Sequence, residues 1–145
     1  MKKLIVLSIV LVIFYSCKKD KSPNPAATCQ ISVASISGSY KITSYTYKET
    51  PSSAEVDYYA FLFPEACERD NVLTLNANGT YQLTDAGIAC SPLVNENGNW
   101  SLIGNLLEKD GGTTTIESFN CKNLVLVVMN TQTVGDKLKI TLVKQ

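Results

Sequence analysis

The sequence of 145 residues predicts an all-β fold, an antiparallel up-and-down barrel of eight strands with a short helix over one end. Apolar and polar residues alternate through most of the chain, as in Leu73 and Leu75, Tyr81 and Leu83, Trp100 and Leu102, and Leu138, Ile140 and Leu142. That is the period of a half-buried strand. Val, Thr, Tyr and Ile are frequent, runs of strong helix formers are scarce, and turn signals recur at short intervals.

The chain begins with a segment that is not part of such a fold. Lys2 and Lys3 precede the apolar run Leu4 to Phe14, which ends at Tyr15-Ser16-Cys17 before a polar, lysine-rich stretch. The core, about a dozen residues, is too short for a stable membrane span and suits a secretion signal. The layout resembles a lipobox, in which the cysteine is lipidated and becomes the new N-terminus. We therefore expect a signal peptide over 1–16, with Cys17 as the lipid anchor. Phe14 and Tyr15 are bulkier than usual there, and the alternative is an ordinary signal peptide with an incidental cysteine. Residues 17–27 carry charge, two prolines and no large apolar side chain, so they read as a flexible tether. The barrel domain is expected over 28–145, long enough for one core and short of two.

Composition narrows the function. Thirteen basic and thirteen acidic residues balance, and removal of Lys2 and Lys3 leaves a slight acidic excess, so no nucleic-acid partner is expected. There is no histidine, which removes the commonest general base and the usual triads. Asp57, Glu65, Glu68, Asp70 and Asp85 show no spacing that singles out a catalytic pair, and Asp70 has a plainer role accepting backbone hydrogen bonds in a turn. We expect no enzyme activity, no cofactor and a monomer. Cys29, Cys67, Cys90 and Cys121 make an even set in an exported chain, which favours two disulfides. No two of them have the close spacing of a zinc site, and no metal is expected.

Strands are expected near 39–47, 71–76, 80–84, 98–103, 105–109, 113–119, 123–130 and 136–143. In the first, Tyr40 and Ile42 are out of phase with Tyr45 and Tyr47, which predicts a bulge. Asn76-Ala77-Asn78-Gly79 suits a three-residue loop with a bulge at Gly79, which sets Leu75 against Tyr81 and Leu73 against Leu83. Matching of apolar faces selects it over a two-residue loop. Extended outward, that register places Cys67 opposite Ala89, one residue from Cys90, an offset that reaches disulfide distance once the hairpin ends relax slightly. Strand parity puts Cys29 and Cys121 together at the opposite, bottom end, because a mixed pairing would have to span the barrel.

The bottom connections are tight, whereas 48–66 and 85–97 are long excursions at the top, where a mouth is expected. Val56, Tyr59 and Phe63 have helical spacing, so 54–63 reads as a short helix lying over that mouth. Tyr58, Tyr59, Phe61 and Phe63, with Tyr81 and Trp100 inside, are the candidate ligand contacts. Small barrels fill their interiors with side chains, so the alternative is that the four loop aromatics plug that end. Interior room is expected to be scarce once Tyr81, Trp100 and the leucines are placed. Leu124 to Met129 is apolar on both faces, and we expect Ile31 to Ile36 to cover its outer face, the alternative being an exposed patch for a partner.

Gly38-x-Tyr40-Lys41-Ile42-Thr43, Cys67-Glu68-Arg69-Asp70-Asn71, Asn78-Gly79-Thr80-Tyr81, Cys90-Ser91-Pro92 and Gly98-Asn99-Trp100-Ser101-Leu102 together resemble the lipocalin-like domain lipoproteins of Bacteroidetes, small calycin-like barrels. The resemblance covers most of 36–145. It implies a Cys67–Cys90 pair, and it implies a shape more than an activity. The resulting expectation is a lipoprotein of the outer membrane whose barrel binds a small apolar or amphipathic ligand. The other reading is a solid barrel whose top loops grip an envelope protein, as an inhibitor or a subunit.

Overall fold

The computed structural model describes residues 29–145; the expected signal peptide, Cys17 and the tether to residue 27 lie outside the described residues. A short helix α1 (Val33–Ile36) leads into β1 (Gly38–Lys48), followed by β2 (Val56–Asp57), α2 (Tyr59–Leu62) and a 3-10 turn (Ala66–Glu68). The remaining strands are β3 (Val72–Leu75), β4 (Thr80–Thr84), β5 (Asn95–Ile103), β6 (Leu106–Lys109), β7 (Gly112–Phe119), β8 (Asn123–Met129) and β9 (Lys137–Lys144). From β3 to β9 each strand pairs antiparallel with the next in sequence, and β9 also pairs with β1, so the sheet closes into a ring. All eight expected strands are present. The ninth, β2, lies on the upper part of β1.

Why β2 exists is a matter of geometry. Register between β1 and β9 shifts between Ile42 and Ser44, the expected bulge, and β3 pairs with β1 only from Gly38 to Tyr40. Above that point the edge of β1 has lost its neighbour, and unpaired edge groups need partners. The following excursion supplies them. Val56 and Asp57 pair with Tyr47 and Thr46, Tyr58 N–H donates to the Tyr45 carbonyl at 2.8 Å, and the Tyr59 hydroxyl donates to the Ile42 carbonyl at 2.9 Å. The expected helix over 54–63 is thereby shortened to α2, because its first half is spent on edge pairing.

The β3–β4 hairpin has the expected register, Leu75 with Tyr81 and Leu73 with Leu83. Gly79 adopts φ 85°, and its N–H donates to the Asn76 carbonyl at 3.1 Å. Both disulfides are those expected. Cys29–Cys121 joins the N-terminal segment to the β7–β8 turn at the bottom, and Cys67–Cys90 joins the two long top excursions, with Cα separations of 5.2 and 5.3 Å.

The bottom is sealed by the N-terminal segment. Ile36 and Tyr40 are fully buried among Leu75, Trp100, Phe119 and Leu142, Ile31 packs against the same cluster, and the Tyr40 hydroxyl donates to the Ile36 carbonyl. Burial pushes the Tyr40 phenol up to about 12. The Trp100 indole N–H donates to the Asn76 carbonyl at 2.9 Å, so its large ring is buried without stranding a donor. Residues 31–36 thus enter the interior cluster instead of covering the outside of β8, which corrects the sequence expectation. On that outer face Val127 is buried between its register partners Thr115 and Lys139, and a Lys137–Glu117 ion pair passes over the strand.

The two disulfides constrain the unfolded chain unequally. Their sequence separations of 92 and 23 residues correspond to about 4.6 and about 3.4 kcal/mol by chain entropy. We predict that the double Cys29→Ser/Cys121→Ser variant loses more stability in urea titrations than Cys67→Ser/Cys90→Ser; the opposite order would show that the long loop is not the controlling quantity.

Candidate functional site

Above the sealed bottom the interior is hollow. A cavity of about 280 Å³ is bounded by Leu73 and Leu75 of β3, Leu83 of β4, Leu107 and Lys109 of β6, Thr114 of β7, Leu124 and Leu126 of β8, Ile140 and Leu142 of β9, and Ile42 and Tyr45 of β1. Phe63, which follows α2, forms its remaining wall. The expected shortage of interior room is therefore corrected. The aromatic rings Tyr40, Tyr81 and Trp100 are spent at the bottom and side of the barrel, and the level above is lined mostly by leucine and isoleucine, which leave space unfilled.

The predicted contacts are distributed unevenly around this space. Phe63 borders it, with its ring 5.9 Å from that of Tyr45 and 5.4 Å from that of Tyr59. Tyr59 lines a void of about 60 Å³ behind Phe63, where the wall between β1 and β3 is open. Tyr58 packs on Tyr47 and Phe61 outside the cavity, and Phe61 is 77% exposed. Tyr81 and Trp100 are buried but do not line the cavity. The structure thus gathers Phe63 with Tyr45, Lys109 and Thr114, three polar residues that sequence reasoning passed over. A signal for Lys109 existed, because strand alternation puts it on the same face as Leu107.

Among the described residues, Lys109 is the one charged side chain on the cavity wall. Its ammonium lies 4.1 Å from the centroid of the Tyr81 ring and 3.5 Å from the Asp110 carboxylate. Burial works against its charge, but Tyr81 and the carboxylates of Asp110 and Glu96 outweigh that and raise its pKa, so the group is an ammonium at neutral pH. Asp110 and Gly111, with φ of 50° and 83°, form the tight β6–β7 turn, which carries the Asp110 carboxylate back over β4 and β5. There it accepts from the Tyr81 hydroxyl and from Asn99 N–H. The Tyr81 bond is the main reason its pKa is lowered. A Cβ at Gly98 would overlap both the Asp110 carboxylate and the Tyr81 ring, which explains the glycine before Asn99-Trp100.

The mouth is framed by two ordered loops. Asp136, fully buried, accepts from the N–H groups of Thr131, Gln132 and Thr133 and from the Tyr47 hydroxyl, so it organises the whole β8–β9 connection. Desolvation alone would raise its pKa, but the converging donors overcome it and hold the carboxyl far below the usual range. Opposite, Asp70 accepts from Ile88 N–H at 2.7 Å, the backbone role expected of it, and Asp85 accepts from Cys90 N–H at 2.8 Å. Around the Cys67–Cys90 bridge these loops leave an open surface depression of about 560 Å³, with Ile88 60% exposed beside it.

No group of three or more acidic or cysteine side chains with metal-binding geometry occurs among the described residues. No helix there is long and apolar enough to cross a membrane. No curated protein and no solved structure matches the chain. The lipocalin-like domain family matches residues 36–128, from the last residue of α1 to the penultimate residue of β8. That match covers well over half of the sequence, and it agrees with a closed antiparallel barrel around an apolar interior; the chain belongs to the lipocalin-like domain family.

Proposed function

We propose that the protein is a lipid-anchored lipoprotein of the bacterial outer membrane, of the kind found in Bacteroidetes, whose barrel binds a small apolar or amphipathic molecule. The observation that carries the binding reading is the 280 Å³ apolar cavity. It approaches the size of small-molecule sites and is nearly twice an engineered void that admits benzene. Phe63 and Tyr59 stand where an entering molecule would displace them, so they act as the lid, with Tyr58 and Phe61 as its outer support. Tyr81 and Trp100 hold the floor and wall rigid. Binding rather than catalysis is the reading the wall supports, since its two titratable side chains, Lys109 on β6 and Tyr45 on β1, stand on opposite sides of the ring and are not paired for proton exchange with a substrate.

The anchor is Cys17, and the tether would enter beside Cys29 at the bottom, leaving the mouth pointing away from the membrane. Two disulfides accord with an oxidising, extracytoplasmic setting. A second reading has its own observation: Phe61, Ile88, Leu93 and Val134 are 60% or more exposed on the upper loops, as a protein-interaction surface would require. In that reading an envelope protein docks on the loops and the cavity stays unused.

Titration with the fluorophore 1-aminonaphthalene separates the two. The expected result is saturable binding that falls at least tenfold in Leu126→Trp, a substitution that fills the cavity, with the variant's fold checked by circular dichroism. Absence of binding, or equal binding to the filled variant, would refute the ligand reading and favour the loop surface. For the anchor, the protein made in a bacterial host should partition into detergent phase, and Cys17→Ser should move it to the aqueous phase; an unchanged partition rules out lipidation at Cys17.

A further inference from the structure

We propose that the cavity selects a carboxylate-headed chain of about a dozen non-hydrogen atoms, scaled from the ~150 Å³ void that holds benzene, with Lys109 and Thr114 as the head-group anchor. This inference rests on the ligand-binding reading and makes it specific.

The Lys109 side chain is 35% exposed, so its ammonium stands at the solvent-reached edge of an otherwise apolar cavity, where a paired anion is favoured. The pairing available to Lys109 within the protein is incomplete. Asp110 lies 3.5 Å away, but its carboxylate already accepts from the Tyr81 hydroxyl and Asn99 N–H. The Tyr81 ring covers one side of the ammonium. On β7 the register partner of Lys109 is Gly112, which has no side chain to cover it, and the next inward position is Thr114. Thr114 and Lys109 are diagonal neighbours on adjacent strands, near enough for one group to touch both. The Thr114 hydroxyl forms no hydrogen bond among the described residues, and it too lines the cavity. One cation and one hydroxyl donor match a single planar carboxylate. Glu108, between Leu107 and Lys109, points outward to Ser101, so no second carboxylate from β6 competes.

Away from this corner the wall is apolar, except for Tyr45, across the barrel on β1. A ligand with its head at Lys109 would therefore run its tail between the leucines of β3 and β4 on one side and those of β8 and β9 on the other. A neutral chain of equal length fits the same space but leaves the ammonium as it was.

The test uses displacement of 1-aminonaphthalene by decanoate and by 1-decanol at neutral pH. Decanoate should bind at least tenfold more tightly than decanol. Lys109→Gln should abolish that preference by weakening decanoate to about the affinity of decanol, and Lys109→Arg should largely retain it; thermal unfolding checks that both variants fold. Equal affinity for acid and alcohol on the unaltered protein, or a preference that survives Lys109→Gln, would overturn the proposal while the cavity reading stands. Failure of the fluorophore itself to bind would defeat both.

Discussion

Ring closure by β9 is the constraint on which everything else depends. β9 pairs with β8 along one edge and with β1 along the other, so a meander that would otherwise expose two edges has an inside. Closure forces β1 to bend, the bulge after Ile42 absorbs the bend, and the bent strand parts from β3 above Tyr40. The gap this leaves is filled by β2, Tyr59 and Phe63, the same segment that borders the cavity. The lid is thus a consequence of how the barrel closes.

Hollowness has a stability cost that the covalent framework can offset. An apolar space left unfilled forgoes contacts that a close-packed core would make. The two bridges return about 8 kcal/mol by chain entropy, one securing the sealed bottom and the other the loops at the mouth. Two carboxylates add local order without filling the interior. Asp136 fixes the β8–β9 loop, and Asp110 ties the β6–β7 turn to β4 and β5.

The fold was legible in the sequence wherever structure is local. Alternation located eight strands, the out-of-phase pairs Tyr40/Ile42 and Tyr45/Tyr47 located the bulge, and Asn76 to Gly79 fixed one hairpin register, from which one disulfide followed. Features that depend on distant partners were not legible. β2 is two residues long and exists because an edge of β1 is vacant. α1 is a single turn capped by Ser32 and Ser35, without the acidic partner that marks a capping box in sequence. The cavity is a difference between enclosed and occupied volume, and only the placement of Tyr40, Tyr81 and Trp100 at the bottom and side reveals it. Of the predicted aromatic contacts, Phe63 reaches that space, whereas Lys109, inward by simple alternation with Leu107, carried a signal that attention to aromatic residues obscured.

The closed barrel keeps an apolar space between a sealed floor and an aromatic lid. A crystal of the ligand-free protein under xenon pressure tests it most directly, because xenon enters apolar voids and scatters strongly. A xenon peak is expected among Leu83, Leu107 and Leu126, beneath Phe63. A barrel with no xenon there, its leucines collapsed onto one another, would contradict it.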